Sequence, residues 1–148
     1  MVFYNKNLFI VILLLFDNMK VEGKKNMKFY KCPICGKIIA IVKEAPVPTI
    51  CCGKPMIELV PNTEDGAHEK HLPVVEVEGN LVTVKVGEVE HPMLEAHFIQ
   101  WIALETNFGN QRKVLKPGEK PVAQFALLEG EKVIAAYEFC NLHGLYKA

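Results

Sequence analysis

Val75 and Val77 flank Glu76, and Val82, Val84 and Val86 alternate with Thr83 and Lys85, with Gly79-Asn80 dividing the two runs. A period of two sends one set of side chains to each face of a strand, and a Gly-Asn pair between two such runs makes a hairpin turn. Residues 98–104 form a further predicted strand. Gly109-Asn110 and Lys116-Pro117-Gly118 are turn sequences, and residues 122–128 and 132–139 are expected to be the last two strands. No stretch shows a convincing helical period. Several short strands spaced by turns predict an all-β fold built on an antiparallel sandwich, with Trp101 in its core.

Upstream of this region the pattern changes twice. Pro61-Asn62-Thr63-Glu64-Asp65-Gly66 is polar and rich in turn formers, and marks the boundary of a small front unit, residues 27–62. Within that unit residues 38–42 form one short predicted strand, and Pro46 and Pro48 mark a turn. A segment this short builds little core and needs another staple. Residues 8–16 are a nine-residue apolar run preceded by Lys6, too short for a membrane span and lacking a small-x-small cleavage site after it. The reading favoured for residues 1–26 is a mis-assigned start or a disordered leader, with translation beginning at Met27 and Met19 as a second possible start.

The 148 residues allow one ordinary domain, or one with a small satellite. With 17 basic and 17 acidic side chains the chain has no net charge, which argues against a grip on nucleic acid. There is no glycine-rich phosphate loop and no internal repeat.

Chemistry enters with five cysteines and five histidines. An odd number of cysteines leaves one over from any closed disulfide framework. Cys32-Pro33-Ile34-Cys35-Gly36 is a metal knuckle, and Cys51-Cys52-Gly53 supplies a second pair. Two such pairs indicate a tetrahedral four-sulfur site for zinc or iron in a reducing compartment. The fifth thiol, Cys140, stands three residues before His143 on a glycine turn. The histidines His68, His71, His91, His97 and His143 all fall in the back half, at predicted strand ends where a sandwich gathers its loops. Imidazoles with one thiolate suit iron, copper or zinc. A thiol beside a histidine also suits a nucleophile pair, but no third triad member is recognisable.

In this order the motifs Cys32-Pro33-Ile34-Cys35, Cys51-Cys52-Gly53, Glu69-Lys70-His71-Leu72-Pro73, His91-Pro92-Met93, His97 and Cys140-Asn141-Leu142-His143-Gly144 make the chain resemble desulfoferrodoxin, the two-iron class of superoxide reductase. The resemblance runs from Met27 to Tyr146; residues before Met27 have no counterpart in it. It implies a desulforedoxin-like front domain, residues 27–62, with an iron on Cys32, Cys35, Cys51 and Cys52. It implies an immunoglobulin-like sandwich, residues 63–148, with a second, ferrous ion bound in a plane by His71, His91, His97 and His143 and axially by Cys140. His68 has no equivalent as a ligand. Such a site leaves one position open for a small anion, and a thiolate opposite that position pushes electron density onto the metal. The implied reaction is one-electron reduction of superoxide to hydrogen peroxide. Lys70 is then the cation that attracts superoxide and stabilises the peroxide-level state, and Glu69 caps the open position in the oxidised resting enzyme. Further implications are a small electron donor such as rubredoxin, a homodimer and a cytoplasmic location, with no membrane partner. Against this stand an electron-transfer or metal-storage protein of rubredoxin type and a zinc-ribbon interaction module.

Overall fold

The computed structural model describes residues 26–63, 66 and 68–148. The expected leader therefore lies almost wholly outside the described residues, as do Glu64 and Asp65 of the expected boundary. Lys28–Lys31 (β1) pairs antiparallel with Ile38–Ile41 (β2) and with Ile57–Leu59 (β5), so β1 is the middle strand of a small front sheet. Ile50–Cys51 (β3) and Lys54–Pro55 (β4) form a separate two-residue ribbon. The predicted strand at residues 38–42 stops one residue early. Val42 projects fully into solvent, where it has nothing to pack against.

The back half is a sandwich of two antiparallel sheets. Pro73–Glu78 (β6), Leu81–Val86 (β7) and Val122–Ala126 (β10) form one sheet in the order β10-β7-β6. Ile99–Thr106 (β8), Asn110–Val114 (β9), Val133–Cys140 (β11) and Gly144–Lys147 (β12) form the other, in the order β12-β11-β8-β9. The hairpin predicted from the valine alternation is present, with Val75 opposite Val84 and Val77 opposite Val82. Val82, Val84, Val86, Ala123 and Phe125 meet Ile99, Ile102, Leu104, Ala136 and Cys140 between the sheets.

Two expectations are corrected. Residues 132–139 do not hold the last strand: the chain turns at residues 141–143 and returns as β12, pairing Cys140 with Gly144. A single helical turn, His68–His71 (α1), stands where a loop was expected. Its four residues are too few for a 3.6-residue period to register. Trp101 is core, as expected, and lies on the outer face of β8 among Phe29, Tyr137 and Phe139.

That outer face explains why β8 and β11 read as almost unbroken apolar runs. Strands buried on both faces lose alternation. On the inner face Ile102 and Leu104 fill the sandwich; on the outer face Trp101, Ala103, Tyr137 and Phe139 pack against Phe29 of the front sheet. The Phe29 ring centre lies 4.8 Å from that of Trp101, and Trp101 stacks on Phe139 at 5.7 Å and 8°. Tyr137 donates a 2.9 Å hydrogen bond to buried Glu105, which also accepts from the Met27 amide at 3.4 Å. The molecule is thus three layers, with the four-stranded sheet in the middle. No helix among the described residues is long and apolar enough to cross a membrane.

Candidate metal centres

The front centre is built by two tight turns. Gly36 N donates to Cys32 O, and Cys32 N to Lys37 O, folding the Cys32–Cys35 segment around its own sulfurs. The amides of Ile34 and Cys35 each point at Cys32 Sγ from 3.4 Å. Cys52 and Gly53 link β3 to β4 with φ of 51° and 72°, the signs of a type I′ hairpin turn. A cysteine with positive φ is uncommon. Here it turns the backbone so that two adjacent side chains reach one centre, with Cys51 Sγ 3.7 Å from Cys35 Sγ and 3.9 Å from Cys52 Sγ. All four sulfurs lie within 4.8 Å of one another.

The Cys35 amide, helped by that of Ile34, holds the Cys32 thiol down to about 6. Sharing hydrogen bonds with Cys32 pushes Cys51 up to about 12, and Cys52 is also raised, first by Cys35. One thiolate forms readily and the next ones do not, because like charges crowd. A tetrahedral cation removes that conflict, so the donor set fits a four-sulfur metal. Cys32 is buried, whereas Cys35 and Cys52 face solvent.

The second centre gathers donors from separate loops. His71 ends α1, His91 follows β7, and His97 lies in a loop bridged to Leu94 before β8. Cys140 ends β11, and His143 sits in the turn to β12 just before Gly144, whose φ of 77° favours glycine. Ring centres of His71–His91, His91–His97, His97–His143 and His143–His71 are 4.6, 4.6, 4.9 and 4.8 Å apart. The His71–His97 diagonal is 6.4 Å, the proportion expected of a nearly planar square. His91 and His143 occupy the other two, opposite corners. Cys140 Sγ lies 3.6 Å from Nε2 of His91 and 3.7 Å from Nδ1 of His143, almost equidistant from two opposite corners.

Two of the four rings, His91 and His71, are oriented from behind. Nδ1 of His91 donates to Pro92 O at 2.6 Å, which leaves Nε2 for the centre. Nδ1 of His71 lies 3.3 Å from Oε1 of Glu138, a fully buried carboxyl that burial pushes well above its ordinary value. Tyr146 stacks on the His71 ring at 4.6 Å and 16°. A Cβ at Gly66 would stand 2.2 Å from the Tyr146 hydroxyl, so only glycine fits over that stack.

Burial, then neighbouring His91, brings His71 down to about 3; burial also brings His91 to about 4 and lowers His97. The rings are therefore neutral and free to donate lone pairs. Burial raises the Cys140 thiol, opposed by amide hydrogens of His143 and Leu142 directed at its sulfur. Nε2 of His97 is buried without a hydrogen-bond partner. An orphaned imidazole nitrogen beside three others and a thiol is what a transition metal satisfies.

The structure brings His71, His91, His97, Cys140 and His143 together within 4.8 Å and keeps His68 out, in an exposed position beside Tyr146. Glu69 and Lys70 are exposed on α1 and contribute no donor atom to the cluster. The charge of Lys70 nevertheless reaches it, lowering both His91 and His97. The α1 turn is seated by Gly87 and Val89, whose amides donate to Leu72 O and Glu69 O. A Cβ at Gly87 would come within 2.6 Å of Lys70 O, at a φ of 80°.

Glu138 and Tyr146 had not been singled out in the sequence. Glu138 did leave a signal there: two residues before Cys140 in a strand, it shares that residue's inward face, where a carboxylate is out of place.

Comparison with known proteins agrees with this geometry. Residues 63–148 match the family model described as Desulfoferrodoxin, and residues 24–59 match that for the desulfoferrodoxin N-terminal domain. The chain is 46% identical over 124 residues to a desulfoferrodoxin from Syntrophotalea carbinolica, covering 84% of this chain and 97% of that one. It is 43% identical to a desulfoferrodoxin homolog from Archaeoglobus fulgidus, covering 82% of this chain and 96% of that one. The crystal structure of the superoxide reductase from Treponema pallidum superposes with a TM-score of 0.72 at 38% identity, covering 84% of this chain and 99% of that one.

Proposed function

The chain belongs to the desulfoferrodoxin family, and on that premise we propose how its residues divide the work of a superoxide reductase. The protein is a non-haem enzyme that reduces superoxide to hydrogen peroxide without forming oxygen. The observation that carries the reading is the square of four imidazoles with Cys140 Sγ equidistant from opposite corners. Iron at the four-histidine, one-cysteine site supplies the single electron, and iron among the four cysteines adds a second one-electron centre.

Superoxide takes up one electron and two protons and leaves as hydrogen peroxide. Cys32, Cys35, Cys51 and Cys52 are the ligands at the front; His71, His91, His97, His143 and Cys140 are those at the back. Cys140 would hold the back iron through its sulfur, with the His143 and Leu142 amides offsetting part of the cost of burying a thiolate, and would supply electron density to the metal. Lys70 draws the anion in and steadies negative charge as it builds; its reach to His91 and His97 supports this role. Glu69, its exposed neighbour, is the carboxylate that would hold the iron in the oxidised resting enzyme. Glu138 and Pro92 O hold the His71 and His91 rings in register.

Residues 27–62 and 63–148 are taken as the two working units. Exposed Cys35 and Cys52 offer rubredoxin or a similar small donor an approach to the front centre. Ile34, Val47, Ile50 and Ile57 are exposed on the front unit, a surface that a second copy in a homodimer would cover. Thiols without disulfides suit a reducing, cytoplasmic setting.

The test is the metal content, visible spectrum and superoxide consumption of anaerobically purified protein. Two irons per chain, two distinct ferric spectra and catalytic loss of superoxide are expected. Two irons with no superoxide turnover would leave a rubredoxin-type electron carrier instead; colourless, zinc-only protein would overturn both.

A further inference from the structure

The loop carrying His97 is held at its start by Gly118 N, which donates to Met93 O at 2.7 Å, and only sparsely beyond that. Leu94, Glu95 and Ala96 are exposed, and the Leu94–His97 bridge ties the loop only to itself. Regular strand pairing does not reach it either. The β8–β11 register slips between Phe139–Trp101 and Cys140–Ile99, and such a slip leaves a residue without its rung. Beyond the slip, one residue takes over. Phe98 N donates to Asn141 Oδ1 at 2.9 Å, Asn141 Nδ2 donates to Ala96 O at 3.0 Å, and Asn141 N donates to Phe98 O at 3.2 Å. The residues on both sides of His97 are thus tied to one position, which lies between Cys140 and His143 in the chain.

We propose that Asn141 is a positioning residue for the back metal site, a clip that fixes the His97 loop against the Cys140–His143 turn. It is not one of the five donors, although its Oδ1 also lies 3.9 Å from Cys140 Sγ. Its amide is suited to the place because it accepts from one backbone group through Oδ1 and donates to another two residues away through Nδ2, two separate atoms of one rigid plane. This rests on the five-donor reading of the site but not on which metal fills it. Partners standing behind metal ligands set how firmly the metal is held.

The test compares holoprotein carrying Asn141, Asn141→Ala and Asn141→Asp, following metal release to an excess of chelator. The front four-cysteine centre serves as an internal reference. Release from the back site should accelerate on the order of tenfold in Asn141→Ala, with the front site unchanged. A second readout, hydrogen exchange of a peptide covering residues 96–98, separates the two halves of the clip. Asn141→Asp keeps the acceptor for Phe98 N, so that amide should remain protected there and exchange faster in Asn141→Ala. Should Asn141→Ala not fold, slower release from wild type than from Asn141→Asp, with Phe98 still protected in the latter, carries the same conclusion. Unchanged release from the back site, or equal loss from both sites, would overturn it. Repeating the release with zinc in place of iron keeps this outcome separate from the redox assignment: the clip predicts the same ranking with either metal.

Discussion

The front centre draws its four donors from residues 32–52, whereas the back centre collects five from residues 71–143. One is made by two turns that fold back on themselves and leaves two sulfurs in solvent; the other exists only when two sheets are stacked and their end loops meet. The difference matters for what each can do. A site built locally and open at one side suits electron exchange with a partner at the surface. A site assembled at the end of a sandwich can bury His71 and His91, fix both rings from behind, and still leave one direction free for a small anion. It also inherits every weakness of the scaffold.

The sharpest way to break that comparison is to remove, from the back alone, the one kind of donor that the two centres share, the cysteine sulfur. Cys140→Ser should abolish superoxide reduction while the front centre keeps its ferric colour, followed by the visible spectrum and by superoxide decay in one preparation. Retained full activity would remove the axial thiolate from the mechanism. Next in size is the layer contact joining the two regions. Phe29→Ala empties a site among Trp101, Tyr137 and Phe139 and should cost about 3–5 kcal/mol in chemical denaturation. A loss under about 1 kcal/mol would mean that the front sheet only rests on the sandwich.

Acid should then separate the regions. His71 and His91 are held down to about 3 and about 4 when folded, against 6.5 when exposed. Between these values the unfolded chain binds more protons, so their contribution is complete above about pH 6.5 and is lost as pH falls toward 3. Glu138, raised by burial, contributes with the opposite sign, so the urea midpoint is followed in metal-free Glu138→Gln protein, where it should drop from pH 7 to pH 4; a flat profile there would mean that the imidazoles are not buried as neutral bases. The smallest effect is expected of Lys70→Ala, a few-fold slower encounter with superoxide and a weaker dependence on salt, with iron content intact. Pulse-generated superoxide at two ionic strengths reads both.

The two regions also differed in how they could be read from the chain. Cysteine spacing announced the front centre because its chemistry is local, yet the strands around it were mostly invisible: β5 has three residues and β3 and β4 two each, too few for any period. In the back half the reverse held. The alternation of Val75 through Val86 located the hairpin, but the fate of the C-terminal turn was decided by distant pairing, so β12 was not foreseen. His71, His91, His97, Cys140 and His143 were legible by type and order. Glu138, Tyr146 and Asn141 were not, because their roles depend on which neighbour folding brings to them, and a glutamate, a tyrosine and an asparagine have many ordinary uses.

Burial of β8 and β11 on both faces has a calorimetric consequence. A strand pair that forms the inner wall of the sandwich and the outer wall against Phe29 cannot melt for one side alone. The heat absorbed on unfolding should then appear as a single peak. Both colours of the protein should fade over that same interval of temperature, although their chromophores share no ligand.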